Sequence, residues 1–393
     1  MKKILLTWEL GGGLGHIIPM RTLAEQFLAS GHEVYLALMD LTHAASVFSG
    51  MNVKLLQAPF KSGFRSNPIL PPMCFSQLIH NNGFSSDKEL EGLVKSWKTL
   101  YELVRPDIIC FDHSPSALVA AKNFDCLKVT IGVGFSSPPE SSPLGVFTDT
   151  ALNSNKMLAD DKAILNNINR VLDNTGSDTM ETLSQLFYDN IKTCFQSLPE
   201  FDHFCARDES LYYGPVLSAS GLKPEWPEKY NKKVYVYVKQ FPGIAQLLKL
   251  LARFQISFIV YTNNVPENIL NSCKAANLCF QTKPLDLSIV SKEADLAIVN
   301  AGHSTLCQFV LAGVPVLMVP LQMEQQMLAV RMNKQKVGWI ADTENRDFFQ
   351  SIERVLSGVN NGLSIEQKIH NKYAGSDFAA RQIELCHEVI ALA

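Results

Sequence analysis

Short apolar runs recur along the chain, each closed by glycine, proline or a polar cluster, and most are followed by a stretch with helical spacing. Residues 3–8 predict a buried strand, 11–16 a glycine-rich turn, and 17–30 a helix with Pro19 in its first turn and Gly31 just past its end. Residues 32–39 then read as a second strand. This strand, turn, helix, strand opening predicts a parallel sheet with the turn at its carboxyl edge. A third strand is expected at 53–57, a helix at 87–104, a strand at 106–111, a helix at 116–123 and a strand at 127–133. Between them, 59–86 reads as a long loop carrying Phe60, Phe64, Met73, Phe75 and Phe84. Such a loop either lines a binding site or packs onto its own domain. Residues 150–197 read as largely helical.

Periodicity lapses over 216–232, which is rich in Ser, Gly, Pro and Trp, and then restarts. Strands are expected at 233–238, 256–261 and 278–281, with a helix at 244–253. Residues 294–326 follow as strand (296–299), small-residue turn, helix (306–312), strand (316–319) and polar loop. A helix at 327–335, a strand at 338–341 and helical sequence from 348 to the end complete the pattern. The fold class is therefore α/β, as two Rossmann-like doubly wound domains. Their expected bounds are 1–215 and 233–360, with a linker at 216–232 and helices at 361–393 that pack back on the first domain.

Bulk properties agree with that division. A chain of 393 residues exceeds one ordinary core. Hydrophobic residues make up 47% and charged residues 19%, as in a packed globular protein. A net charge of −3 gives no broad basic surface for nucleic acid. The nine cysteines show no CxxC spacing, which fits reduced thiols in a cytoplasmic protein. The opening apolar run stops at Gly11-Gly12-Gly13, too soon for a signal peptide. No run approaches the ~18 apolar residues of a membrane span, although peripheral membrane contact stays open.

Three places suggest chemistry. Gly11-Gly12-Gly13-Leu14-Gly15-His16 does not complete a dinucleotide fingerprint, because His16 or Ile18 stands where the last glycine belongs. His16 is either a base near neutral pH or a helix cap. Asp112, after the strand at 106–111, either orients that imidazole or caps the helix beginning near Ser114; His113 is a weaker alternative base. Asn300-Ala301-Gly302-His303-Ser304-Thr305 forms a turn ahead of a helix, with Gly302 allowing a sharp bend and Ser304 or Thr305 capping. A helix start at this place suits a phosphate. Glu324-Gln325 suits a polyhydroxyl ligand, or is a solvated helix start.

Together these segments resemble the GT-B glycosyltransferases of the UDP-glycosyltransferase superfamily. Gly15-His16-Ile17-Ile18-Pro19-Met20 is similar to the family's GHxxPM segment, and the GGxGH-type opening is also seen in the lipid-linked peptidoglycan glycosyltransferase. Asn300 to Thr305, Gly313-Val314-Pro315, Pro320 and Glu324-Gln325 are similar to its donor signature. The resemblance implies two domains facing across a cleft, with His16 as catalytic base and Asp112 as its acidic partner. It assigns Gly15, Asn300, Gly302, His303, Ser304, Thr305, Gln308, Glu324 and Gln325 to the donor. Asn300 and Gln308 depart from the family's usual histidine and glutamate, and Lys239-Gln240-Phe241 from its usual Gly-Ser. The implied activity is inverting, metal-independent and cofactor-free transfer of a sugar from a UDP- or TDP-sugar to a small-molecule or lipid hydroxyl. A nucleotide-sugar 2-epimerase and a non-catalytic auxiliary of a partner transferase are the alternatives. The sequence leaves the acceptor, the sugar and the oligomeric state open.

Overall fold

The structure, a computed structural model, describes residues 1–61, 63, 67–147, 154–217, 220–262 and 265–393. Phe64 of the long loop, the first residues of the stretch read as helical from 150, and part of the 216–232 linker lie outside the described residues.

The chain divides into two compact units, Met1–Val216 with Phe378–Ala393, and Leu217–Asp377. Each is built on a six-stranded parallel sheet flanked by helices. In the first unit the order is β3-β2-β1-β4-β5-β6. The strands are β1 (Lys3–Trp8), β2 (Glu33–Leu38), β3 (Val53–Gln57), β4 (Ile108–Asp112), β5 (Leu127–Thr130) and the two-residue β6 (Lys192–Thr193). In the second unit the order is β12-β11-β10-β7-β8-β9. Its strands are β7 (Lys233–Tyr237), β8 (Ser257–Tyr261), β9 (Leu278–Gln281), β10 (Leu296–Val299), β11 (Val316–Met318) and β12 (Gly338–Ile340). This is the doubly wound α/β class that the apolar runs predict.

The sheets form because both faces are covered. Ile4, Leu6 and Trp8 of β1 are fully buried with Ile17, Leu23 and Phe27 of the Leu14–Ala29 helix. In the second unit Val234 and Val236 share a core with Leu247 and Leu251 of the Ile244–Leu251 helix. Strands buried on both faces read as continuous apolar runs, which is why they are easy to find in sequence.

The strand order creates a switch point in each sheet. β1 pairs with β2 on one side and β4 on the other; β7 pairs with β8 and β10. Connections from the two central strands leave in opposite directions there, and ligands of open α/β sheets collect at the carboxyl ends of such strands. Asp112 ends β4, His16 lies beyond the end of β1, and Asn300 to Thr305 follow β10.

Several element bounds differ from the sequence expectation. The first helix begins at Leu14, inside the glycine run, with Gly13 at φ 83 in the N-cap position. Gly15 and His16 thus belong to its first turn rather than to the preceding loop. The stretch at 59–86 ends in a helix, Phe75–Ile79, followed by a π turn, His80–Phe84. The described residues 154–197 do not form one long helical block: Ser154–Asn174 is helical, then a short helix at Gln185–Tyr188 precedes β6. Two residues of β6 are too few to leave a period. Helical sequence after 348 is broken into Phe348–Val359, Lys368–Lys372 and Phe378–Leu392.

The last helix closes the first unit. Phe378, Gln382, Leu385, Cys386 and Val389 form its buried stripe. Gln382 donates to the carbonyls of Tyr213 (3.0 Å) and Gly214 (2.8 Å) and accepts from Gln196 (2.9 Å). Glu388 pairs with Lys192 at 2.8 Å and accepts from the Tyr213 hydroxyl. Among the described residues no helix is long and apolar enough to cross a membrane.

Candidate active site

At the switch point of the first sheet, His16 and Asp112 meet. The Nδ1 of His16 lies 2.7 Å from Asp112 Oδ2. A carboxylate only accepts, so Nδ1 donates in this bond, and in the neutral ring that leaves Nε2 as the basic nitrogen. The pair is largely withdrawn from solvent, with His16 18% and Asp112 6% exposed. The Trp8 indole stacks on the imidazole, with centroids 5.1 Å apart and an interplanar angle of 18°. The imidazole is therefore fixed both in plane and in tautomer.

Two glycines make room for the pair. Gly11 has φ +99, and a Cβ there would lie 2.5 Å from His16 Nε2. Gly132, at φ +90 after β5, would place a Cβ 2.4 Å from Asp112 Oδ1. A side chain at either position would collide with the pair in addition to straining the backbone.

Asp112 does not cap the next helix. Helix Pro115–Ala120 has Ser114 at its N-cap position and no cap from that side chain. Its first N–H groups are met by Glu9, the residue after β1. Glu9 Oε2 accepts from Ser116 N (2.9 Å) and Ala117 N (3.4 Å), and Oε1 pairs with Ser116 Oγ (2.7 Å). Glu9 is fully buried, and desolvation pushes its carboxyl from 4.5 up to about 7 against the lowering effect of those hydrogen bonds. Since the folded-state value exceeds the unfolded one, the stability it contributes is full below pH 4.5 and is lost as pH rises through about 7. Glutamine keeps the hydrogen-bonding pattern of the neutral acid. Urea unfolding from pH 5 to 8 should therefore show wild type losing on the order of 3 kcal/mol relative to Glu9→Gln. A pH-independent difference would refute the assignment.

Sequence reasoning missed Glu9, although an acid directly after an apolar strand is itself a signal. His113, the alternative base, is buried with its ring 6.0 Å from Phe75 and 5.7 Å from Phe135. Its ring also lies 6.2 Å from that of His16. Phe75 and Phe84, expected in the loop, are fully buried in their own unit, while Phe60 is half-buried and Leu70 is 71% exposed. The Asn81 amide grips Ile69 beside it, donating to its carbonyl and accepting from its N–H, both at 2.8 Å.

In the second unit, the candidate donor residues gather along the carboxyl edge of β10 and β11. Helix His303–Leu311 starts three residues earlier than the spacing predicts. Its N-cap is Gly302, with no side-chain cap. Ser304 and Thr305 are therefore not caps but first-turn residues, both half-buried. The bend falls on Ala301 (φ 58) and not on Gly302 (φ −65). A Cβ on Gly302 would meet nothing of the protein within 4 Å. Backbone N–H groups and the positive dipole end of this helix can receive an anion.

Asn300 has a different occupation. Its Oδ1 accepts from Lys239 N and its Nδ2 donates to Val319 O, both at 2.6 Å. The amide ties together the ends of β7, β10 and β11. Gln308 is buried and donates to Ser291 Oγ at 3.3 Å. His303 is buried, with Nε2 3.7 Å from Cys307 Sγ. Glu324 and Gln325 lie in the first turn of helix Met323–Lys334, which begins four residues before the predicted 327. Gln325 Oε1 accepts from Leu321 N at 2.9 Å, and Glu324 is half-buried beside it. Tyr237 and Tyr261, register partners ending β7 and β8, put their rings 5.1 Å apart at the same edge. Sequence reasoning passed over them because they end strands as ordinary β formers. Among the described residues, no three His, Cys, Asp or Glu side chains gather closely enough to hold a metal ion.

Residues 274–383 match the profile of the glycosyltransferase family 28 C-terminal domain. That match falls on the half that carries the Gly302 turn and Glu324-Gln325. The whole chain superposes on solved glycosyltransferase structures. The chain as a whole has the GT-B fold. The glycotransferase of kitacinnamycin superposes with a TM-score of 0.68 at 16% identity, covering 99% of this chain and 95% of that one. CalG4, the calicheamicin glycosyltransferase, gives 0.67 at 16% identity over 99% and 98%. Glycosyltransferase VinC, solved in complex with DTDP, gives 0.61 at 15% identity over 99% and 96%. At these identities the likeness carries the GT-B fold and not a substrate. No curated protein matches the chain in sequence.

Proposed function

We propose that this protein of GT-B fold is a glycosyltransferase that moves a sugar from a nucleoside diphosphate sugar to a hydroxyl of a small-molecule natural product, with inversion at the anomeric carbon. The observation that carries this reading is the 2.7 Å bond between His16 Nδ1 and Asp112, at the switch point of the first sheet. A histidine so oriented is equipped to take a proton on Nε2. In the step, the acceptor O–H gives its proton to Nε2, and Asp112 stabilises the imidazolium. The oxygen attacks the anomeric carbon from the face opposite the leaving group. The bond from that carbon to the phosphate oxygen breaks, and the nucleoside diphosphate departs with the electron pair.

The second unit supplies the site for that departing charge. N–H groups of 303–305 and the dipole of the His303–Leu311 helix receive the diphosphate. Glu324, with Gln325, faces the sugar hydroxyls, and Gln308 and Ser304 contribute polar contacts near the ribose and phosphates. Gly15, beside His16, is assigned to the donor as well. No metal or cofactor is required, because positive helix dipole and N–H donors answer the developing charge. A thymidine diphosphate sugar is favoured over a UDP-sugar by the likeness to VinC, whose structure holds DTDP, and to the spinosyn rhamnosyltransferase SpnG, whose structure holds thymidine diphosphate. A small acceptor is favoured over a lipid by the likeness to the calicheamicin and spinosyn enzymes.

Thermal shift against a panel of nucleoside diphosphates and their sugars tests the reading. Stabilisation of several degrees at saturating thymidine or uridine diphosphate is expected. Release of nucleoside diphosphate should then require both donor and an aglycone. Release with no acceptor product, accompanied by a changed sugar, would favour the epimerase. Binding with no turnover would favour the auxiliary role.

A further inference from the structure

The geometry points to Glu9 as the positioning residue of the His16–Asp112 pair, a role that rests on the glycosyl-transfer reading above. Glu9 stands between two residues that touch both halves of the pair. Trp8 before it stacks on His16 and is the register partner of Asp112 across β1 and β4. Leu10 after it donates its N–H to the carbonyl of His113 at 3.0 Å. The Glu9 side chain reaches over the same crossing and takes the N–H groups of Ser116 and Ala117, four and five residues beyond Asp112. The hydroxyl of Ser116 bridges onward to Trp97, whose Nε1 donates to it at 3.0 Å. The Leu10–His113 contact and the Glu9 clamp therefore pin the β1 loop, which delivers His16, to the β4 loop, which delivers Asp112.

Burial makes the clamp rigid. Glu9, Ser116, Trp97 and Trp8 are all 0% exposed. Without Glu9, the start of the Pro115–Ala120 helix would hold unmet N–H groups in a dry interior, and the loops would move to satisfy them. A displacement near 1 Å between a base and its orienting acid is enough to lower turnover about 10²-fold. Glu9, Ser116 and Trp97 belong to the first unit and the proposed diphosphate contacts to the second, so donor binding should not change.

Glu9→Met keeps the size and removes both acceptors. It is expected to lower kcat per folded molecule about 10²-fold, with KM for the donor within about twofold of wild type. Glu9→Gln preserves an oxygen for the two N–H groups and an N–H for Ser116 Oγ, and should retain most of kcat. Glu9→Asp keeps the carboxyl group but shortens the reach by one methylene; it should lose kcat as the methionine variant does, and it decides the matter where Glu9→Met does not fold. The His16 Nδ1 ring proton, followed by NMR, gives a reading independent of turnover. It should be slow to exchange in wild type and Glu9→Gln, and exchange-broadened in Glu9→Met and Glu9→Asp. Wild-type kcat in the folded methionine or aspartate variant, or an unchanged ring proton, would overturn the role. Failure of wild type to transfer sugar would defeat the glycosyl-transfer reading instead, while the ring proton would still report on the clamp.

Discussion

His16→Ala is expected to lower the rate of sugar transfer by about 10²–10⁴-fold, the usual worth of a positioned general base. The donor KM should be nearly unchanged, because the imidazole belongs to the first unit and the proposed diphosphate contacts to the second. The loss should be larger for weakly acidic alcohol acceptors than for phenols, whose protons leave more readily. Asp112→Asn should cost less than His16→Ala, since it leaves Nε2 in place while disturbing the tautomer. The double variant should be no worse than His16→Ala alone, as the carboxylate acts only through the ring. Coupled detection of nucleoside diphosphate release measures all three. Turnover at wild-type rate in His16→Ala would remove the base from the mechanism.

Gly302→Asp is expected to have opposite effects on stability and on donor binding. Gly302 has φ −65 and ψ 136, which any residue adopts, and an added Cβ meets nothing of the protein. Aspartate is a better N-cap than glycine, so the folded protein should gain a few tenths of a kcal/mol. The same carboxylate would stand where the diphosphate is proposed to sit. Two unit charges 4 Å apart at an effective dielectric near 20 repel by about 4 kcal/mol, so donor affinity should fall about 10³-fold. Gly302→Asn, which caps without charge, should lose far less. Calorimetric titration with nucleoside diphosphate, paired with thermal unfolding, separates the effects. Equal affinity in wild type and Gly302→Asp would place the anion elsewhere.

The strands were the most legible part of the fold. Runs such as residues 4–8 and 296–299 are buried on both faces and almost wholly apolar, because the sheets they form are covered on both sides. Helix starts were less legible. Helices beginning at Leu14, His303 and Met323 each start three or four residues earlier than apolar spacing suggests. Their first turns lie at the open carboxyl edge of a sheet, so polar and small residues occupy positions that carry no apolar period. Those same turns hold His16, Ser304, Thr305, Glu324 and Gln325. The feature that hid the helix starts is thus the one that places polar groups there.

Side-chain partnerships were beyond the sequence. Nothing in the spacing told whether Asp112 caps the next helix or meets His16, since an aspartate does either. The arrival of Glu9 at that helix start, from a strand more than a hundred residues away, is a tertiary fact. Asn300 likewise gives its amide to Lys239 and Val319, which the turn sequence alone does not reveal. Phe75 and Phe84 turn inward because the segment around them coils into a helix and a π turn, a change from loop that prolines at 68, 71 and 72 disguised.

The most direct measurement is a crystal structure of the full chain with a thymidine diphosphate sugar. Phosphate oxygens about 3 Å from the N–H groups of residues 303–305, with sugar hydroxyls on Glu324, are expected. A nucleotide bound at millimolar concentration anywhere else, with the helix start at Gly302 untouched, would contradict the central claim.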